Sequence, residues 1–138
     1  MTKKILQDPR IIEFKFKWYP LFQRGPNDGE RVILEGDKVT FERNHPFNDS
    51  NLVVSSIPSK SQWDEFIDFL DRKKIWNWKK DYLDYDVLDG SAWSLLIKTT
   101  SLKIESHGTN KKPSNFNELL RSINKLMGIE VFEIFEED

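Results

Sequence analysis

Side chains that could bind ions or ligands are concentrated in one stretch, residues 73–93, KKIWNWKKDYLDYDVLDGSAW. Carboxylates of the kind that bind Ca²⁺ recur in it: Asp81, Asp84, Asp86 and Asp89. An EF-hand loop requires acids at its first, third and fifth positions, a glycine at the sixth and a glutamate at the twelfth. Counted from Asp84, the glycine comes one position late and the twelfth residue is Leu95. We therefore predict no metal site, and interpret the segment as a solvated acidic connector with a turn at Asp89-Gly90.

Acid–base chemistry has few candidates in this chain. The two histidines, His45 and His107, precede Pro46 and Gly108 in predicted turns or strand ends. A general base needs a positioned partner, which spacing alone does not supply. No GxSxG, HExxH or phosphate-binding glycine loop is present. We predict no catalytic residue and no cofactor; the alternative is a small enzyme or ligand-binding domain with a site near His107.

The segment KKIWNWKK combines lysine pairs with two tryptophans between them, and platforms for single-stranded nucleic acid likewise combine basic and aromatic residues. The same stretch turns acidic within a few residues, which would repel phosphate. Because the rings directly follow a predicted amphipathic helix, packing against the core is the main interpretation. A protein-binding surface is the next, since Trp and Tyr are typical of interface hot spots. The candidate binding residues are Trp76, Trp78, Tyr82, Asp84, Tyr85 and Asp86.

Length and composition limit the possible classes of protein. The chain of 138 residues suits a single domain spanning residues 1–138. It has no cysteine, which removes disulfides, thiol catalysis and cysteine-based zinc sites. A net charge of −2 argues against a dedicated duplex nucleic-acid binder. No apolar run approaches the ~18 residues of a membrane span, and the start does not resemble a secretory signal, so we expect a cytoplasmic protein.

Alternating residues predict several strands. Ile12, Phe14, Phe16 and Trp18 give the segment 12–18 one apolar face. Residues 31–43 predict a hairpin with a two-residue loop at Gly36-Asp37. Its register pairs Glu35/Lys38, Leu34/Val39, Val32/Phe41 and Arg31/Glu42. A further strand is expected at 52–57.

A second hairpin is predicted over residues 91–108. Closure at Thr99-Thr100 would pair Ile97 with Leu102 and Leu95 with Ile104. Because Thr-Thr is a poor primed turn, a four-residue loop is the alternative, and we expect the same pairing from it.

Two amphipathic helices complete the predicted elements. The first is capped by Ser59 or Ser61, with Trp63, Phe66, Ile67 and Leu70 as its apolar stripe. The second is capped by Ser114 or Asn115, with a capping box to Glu118 and an end at Gly128. Its apolar stripe is Phe116, Leu119, Leu120, Ile123 and Met127. The tail from Gly128 is expected to add a strand or to pack as an extended arm. The sum is an α+β fold, an antiparallel sheet of about five or six strands with two helices packed on one face.

The last third of the chain resembles a loose group of small uncharacterised bacterial proteins. The resemblance lies in Asp89-Gly90-Ser91-Ala92-Trp93, which follows a DG-x-x-W pattern, and in Gly108-Thr109-Asn110 with Pro113 and Phe116, a G-x-N-x-x-P-x-x-F loop before the last helix. These motifs are turns, a core tryptophan and a helix start. The resemblance therefore implies a fold and carries over no functional residue.

The features together favour a non-catalytic protein-binding domain. Small, slightly acidic, cysteine-free bacterial proteins are often immunity-type or anti-defence inhibitors of a toxin or nuclease, a class-level association. Aromatic residues beside carboxylates would suit a partner with a basic surface. The third hypothesis is single-stranded nucleic-acid binding through the lysines and tryptophans of residues 73–80.

Overall fold

The computed structural model describes residues 11–21, 29–44, 51–84 and 90–134. These residues form seven strands, two α-helices and a short 3₁₀ turn. In chain order they are β1 (Glu13–Pro20), β2 (Gly29–Glu35), β3 (Lys38–Asn44), β4 (Leu52–Ser56), α1 (Lys60–Arg72), the 3₁₀ turn (Ile75–Asn77), β5 (Asp81–Leu83), β6 (Ser91–Lys98), β7 (Lys103–Thr109) and α2 (Phe116–Met127).

All seven strands belong to one sheet with the order β4-β3-β2-β1-β6-β7-β5. Neighbouring strands are antiparallel except β5, which runs parallel to β7. The predicted α+β class is confirmed, with one strand more than the upper expected count. The additional strand is β5, which lies in the segment interpreted as a connector. Three residues are too few to show an alternating pattern, so the sequence gives no sign of it.

Both helices pack on the same face of the sheet. Phe14 of β1 contacts Phe66 of α1 with ring centroids 5.4 Å apart, and Phe16 contacts Phe116 of α2 at 5.8 Å. The predicted apolar face of β1 is confirmed for Phe14 and Phe16, each of which is 1% exposed. It is wrong for Ile12, which is 50% exposed. The strand begins only at Glu13, so Ile12 lies outside the regular alternation, and Ile11 is buried instead.

The first hairpin has the predicted register, with Val32 opposite Phe41 and Arg31 opposite Glu42. The register predicted for the second hairpin is wrong by two residues, because Ile97 lies opposite Ile104 rather than Leu102. Thr99 explains the difference: its Oγ1 accepts hydrogen bonds from the backbone N–H of Ser101 (3.2 Å) and Leu102 (2.9 Å), which closes a four-residue loop. The even shift keeps Leu95, Ile97 and Ile104 on the buried face, whereas Leu102 falls in the loop and is 44% exposed.

The two helices begin differently. Ser59 caps α1 with a complete capping box, in which it exchanges hydrogen bonds with Gln62. Asn115 precedes α2 without a side-chain capping bond, so the predicted box with Glu118 is wrong. Glu118 instead forms an ion pair with Lys73 at 3.1 Å. The helix α1 ends at Arg72 with Lys73 as its C-cap, and α2 ends as expected at the left-handed Gly128.

The described part of the tail packs as an arm. Asn124 of α2 holds it: the Oδ1 atom accepts from the backbone N–H of Val131 (3.0 Å) and Phe132 (2.9 Å), and the Nδ2 atom donates to the Phe132 carbonyl (3.0 Å). The Phe132 ring then packs edge-on against Phe16 and Phe41. The arm thereby closes the core beside α2.

Candidate binding surface

The segment after α1 turns sharply and brings its rings onto the edge of the core. Lys74 adopts the left-handed conformation with φ 55°, and the 3₁₀ turn follows directly. An extended segment would point Trp76 and Trp78 in opposite directions, but here Trp76 lies within the 3₁₀ turn and Trp78 directly follows it. The backbone then runs into β5, where Lys80 accepts a hydrogen bond from the N–H of His107 at 2.9 Å.

Four rings meet at this edge: Trp78, Tyr82, Trp93 and Phe116, hereafter the aromatic cluster. Trp78 lies edge-on to Trp93 at 5.7 Å and stacks on Phe116 at 6.3 Å with 17° between the planes. Trp93 also contacts Phe116 at 5.1 Å and Tyr82 at 6.0 Å. Trp93 and Phe116 are almost fully buried, whereas Trp78 and Tyr82 keep part of their surface exposed.

The polar atoms of the cluster bind partners inside the protein. Trp78 donates its indole N–H to Asn115 at 3.0 Å, and Trp93 donates to the Lys111 carbonyl at 2.9 Å. The Tyr82 hydroxyl accepts from the Lys79 backbone N–H at 3.1 Å. These bonds hold each ring in one orientation, so the exposed parts of Trp78 and Tyr82 form a preorganised surface.

The predicted binding residues do not all join this surface. Trp78 and Tyr82 belong to the cluster, while Trp76 bonds to Asp71 at 2.8 Å on the α1 side. Asp84 continues β5 through a backbone bond to Thr109 at 3.0 Å. Tyr85 and Asp86 lie outside the described residues, as do Asp89 and His45.

Two distant segments that contribute rings to the cluster also carry lysines close to those rings in the sequence. They are Lys73, Lys74, Lys79 and Lys80 around Trp78, and Lys111 and Lys112 before Phe116, hereafter the lysine rim. Lys79 and Lys112 place their Nζ atoms 5.9 Å from the Tyr82 ring and 5.2 Å from the Phe116 ring. Within the described chain Lys73 is paired with Glu118, and no ion pair uses the other five. The aspartates Asp71 and Asp81 are engaged elsewhere, with Trp76 and His107.

A cavity of about 290 Å³ opens beside the cluster. Rings of Trp18, Trp93 and Phe116 line it, together with Lys111 and Lys112, and no carboxylate is among the described residues of its lining. Two bonds between Ser91 and Asn110 hold the loop that forms one wall: the Ser91 N–H donates to Asn110 Oδ1, and the Asn110 N–H donates to the Ser91 carbonyl. The chemistry of the lining favours an anionic group with an apolar body.

Several members of this surface were not anticipated by sequence reasoning. Lys111 and Lys112 are an ordinary pair in a loop, and Asn115 was expected to cap a helix. Trp93 was expected on the apolar face of a strand, where it lies, but without a link to Trp78. The only local signal was the alternation of rings and lysines at 73–80, which lacks the second half of the rim.

His107 lies on the face of the sheet opposite to the aromatic cluster and the two helices. Its Nδ1 atom is 2.9 Å from Asp81 Oδ1 on β5, and Ser94 of β6 is its neighbour on the other side. The side chains of His107 and Asp81 are 44% and 53% exposed. Spacing alone did not indicate a partner for His107, and the parallel pairing of β5 with β7 supplies a carboxylate.

Among the described residues, no group of three or more His, Asp or Glu side chains is arranged to hold a metal ion. In the same part of the chain, no helix combines the length and the apolar character that crossing a bilayer requires.

Comparison with known proteins does not assign the chain to a family. No family model matches the sequence, and no curated protein is significantly similar to it.

Proposed function

We propose that the chain is a non-catalytic protein-binding domain whose partner docks on the aromatic cluster and its lysine rim. The observation that carries this proposal is the convergence of the segments 73–80 and 111–112 around one rigid group of rings. Preorganised aromatic residues give large contact area at little cost in side-chain entropy, which is the usual make-up of an interface hot spot.

The charge of the surface favours an acidic segment of the partner. The sequence expectation of a basic partner rested on the aromatic and acidic stretch 76–89 and on the acidic tail, and residues 85–89 and 135–138 lie outside the described chain. Among the described residues, Asp71 and Asp81 are occupied by internal partners, while five rim lysines form no ion pair. Exposed lysines accelerate association with an oppositely charged protein and orient it. The cavity at Lys111 and Lys112 offers a place for one carboxylate-bearing side chain.

Ring orientation supports a protein partner over single-stranded nucleic acid. Bases bind by stacking on exposed ring faces. Trp78 already stacks on Phe116, and Trp93 and Phe116 are 3% and 4% exposed. The exposed parts of Trp78 and Tyr82 suit side-chain contacts better than a run of stacked bases.

The test is quantitative capture of partners from the native host with a tagged chain. The double variant Lys111→Glu/Lys112→Glu reverses two rim charges in an exposed loop. We expect the wild type to retain a stoichiometric protein and the variant to lose it. The matched control is Lys38→Glu/Lys98→Glu, which reverses two exposed lysines on strands remote from the rim. A retained partner should also elute at raised salt, because exposed charges are screened.

The proposal fails if no stoichiometric protein is captured, or if the rim variant and the control retain it equally. Proteins encoded beside this chain are included as purified baits, because an immunity-type or anti-defence inhibitor would bind such a toxin or nuclease. Titration with single-stranded DNA at low salt distinguishes the nucleic-acid hypothesis, which requires quenching of tryptophan fluorescence.

A second candidate is a small enzyme that uses His107, and one observation favours it. Asp81, His107 and Ser94 lie in a row across three adjacent strands, in the order of an acid–base–nucleophile triad. Their exposure on the sheet surface argues against it, since catalytic groups work best where water is excluded. A fluorophosphonate probe tests this candidate: labelling that His107→Ala and Ser94→Ala abolish would support it, and no labelling removes it.

A further inference from the structure

The strand β4 leaves an unprotected edge on the described sheet. It pairs with β3 on one side through five residue pairs, from Val39↔Ser56 to Arg43↔Leu52. It is first in the strand order, and no hydrogen bond in the described part of the chain uses its outer side. An open edge presents unpaired backbone N–H and C=O groups, which act as a template for another strand.

The side chains of this edge also lack the usual protection. Soluble proteins place charges, prolines or bulges on exposed edge strands to prevent pairing between molecules. Residues 51–57, NLVVSSI, contain none of the charged types and no proline. The exposed fractions are 40% for Leu52, 68% for Val53 and 65% for Ile57. An apolar edge with unpaired backbone groups is suited to pairing with a further strand.

The strand β5, at the opposite edge of the described sheet, has the protection against pairing that β4 lacks. The strand β5 is only three residues long, contains Asp81 and lies between Lys80 and Asp84. Its length and charges are the protection that β4 lacks. The sheet therefore has one edge suited to extension.

We infer that β4 pairs with β4 of a second copy of this chain, so that the two sheets become continuous across a two-fold axis. Antiparallel self-pairing centred on Val54 places Val54 opposite its own symmetry mate, Val53 opposite Ser55 and Leu52 opposite Ser56. Each of these residues is uncharged, so no like charges meet, and a two-fold interface is self-complementary by construction.

The neighbouring strand is compatible with this arrangement. Thr40 and Ser55 share a hydrogen bond between their hydroxyl groups at 2.9 Å, which aligns the outer strand on β3. Glu42, beside Val53, is already paired with Arg31 at 2.6 Å. The second copy would thus meet apolar and hydroxyl groups at the edge, with the nearest carboxylate neutralised. This inference concerns a different surface from the lysine rim and does not depend on the proposed function.

Sedimentation equilibrium over a wide concentration range tests the inference. We expect the wild type to dimerise reversibly, and Val53→Lys to raise the dissociation constant about tenfold or more, because two ammonium groups then enter the shared edge. The control is Leu83→Lys on β5, a leucine that is 44% exposed, and it should leave the dissociation constant unchanged. Circular dichroism confirms that both variants are folded.

Cross-linking adds a readout that fixes the register. The chain has no cysteine, so Val54→Cys creates a unique thiol. Directly opposed residues in antiparallel strands have Cα atoms about 4.5–5.5 Å apart, within the range that a disulfide spans. We expect rapid oxidative dimerisation of Val54→Cys and slow dimerisation of Leu83→Cys. A monomer at all concentrations overturns the inference. So does a dimer that survives Val53→Lys and fails to cross-link at residue 54, or a monomer whose edge instead captures another protein.

Discussion

Trp78 donates its indole N–H to the side chain of Asn115 at 3.0 Å, across a sequence separation of 37 residues. Asn115 occupies the position that would cap α2, but its amide group also donates to the Lys73 carbonyl at 3.2 Å. One side chain therefore ties the turn after α1 to the start of α2. The aromatic cluster depends on this link for its orientation.

Asn115→Ser separates a capping role from an anchoring role. Serine caps helices about as well as asparagine, so a cap would survive the change. Its short side chain does not reach Trp78, so we expect a loss of about 1–3 kcal/mol in the free energy of unfolding, because the indole N–H loses its partner. Urea denaturation measures the loss. The control Asn117→Ser, in the same turn of α2, should change stability by less than about 0.5 kcal/mol; equal effects would contradict the anchoring role.

Gly108→Ala tests how closely the loop crosses Trp93. A Cβ atom at this position would approach Trp93 Nε1 and the Lys111 carbonyl oxygen to 2.3 Å each. We expect a loss of about 3 kcal/mol or more and a changed near-ultraviolet tryptophan signal, because the ring and the loop must move apart. Gly36→Ala is the comparison, since no atom lies within 4 Å of its Cβ and only its φ of 66° opposes the change. A smaller effect at Gly108 than at Gly36 would count against the packing.

Asn124→Ala releases the C-terminal arm. The variant removes three hydrogen bonds to the backbone of Val131 and Phe132. We expect a loss of about 2–3 kcal/mol and faster proteolysis after Gly128, since each bond contributes about 1 kcal/mol and Phe132 is then less firmly held. Asn117→Ala, on the same helix, is the matched control. Unchanged protection of the arm in Asn124→Ala would show that the Phe132 ring alone holds it.

Thr99→Val tests the turn that sets the second register. Valine keeps the shape of threonine but removes the oxygen that accepts from Ser101 and Leu102. Because Thr99 is 2% exposed, these backbone groups have little access to water, and we expect a loss of about 1–2 kcal/mol by denaturation. Thr99→Ser keeps the oxygen and should cost less. If serine costs as much as valine, the methyl packing decides the turn.

Elements whose signals are local follow from the amino-acid sequence alone. The alternation in residues 31–43 and the Gly36-Asp37 turn define the first hairpin in full, because a slip of one residue would bury its charged face. Ser59, one of the two candidate caps of α1, and Gly128 mark helix ends through groups only a few residues apart. The α+β class follows from the order of these elements.

Features that depend on contacts between distant segments arise only in the folded molecule. The strand β5 exists because β7 offers a backbone edge to three residues, and Asn115 serves Trp78 because α1 ends beside α2. The lysine rim forms only when residues 111–112 meet residues 73–80 around four rings. Sequence patterns report which face of an element is apolar, but which polar side chains become neighbours depends on how the finished layers pack.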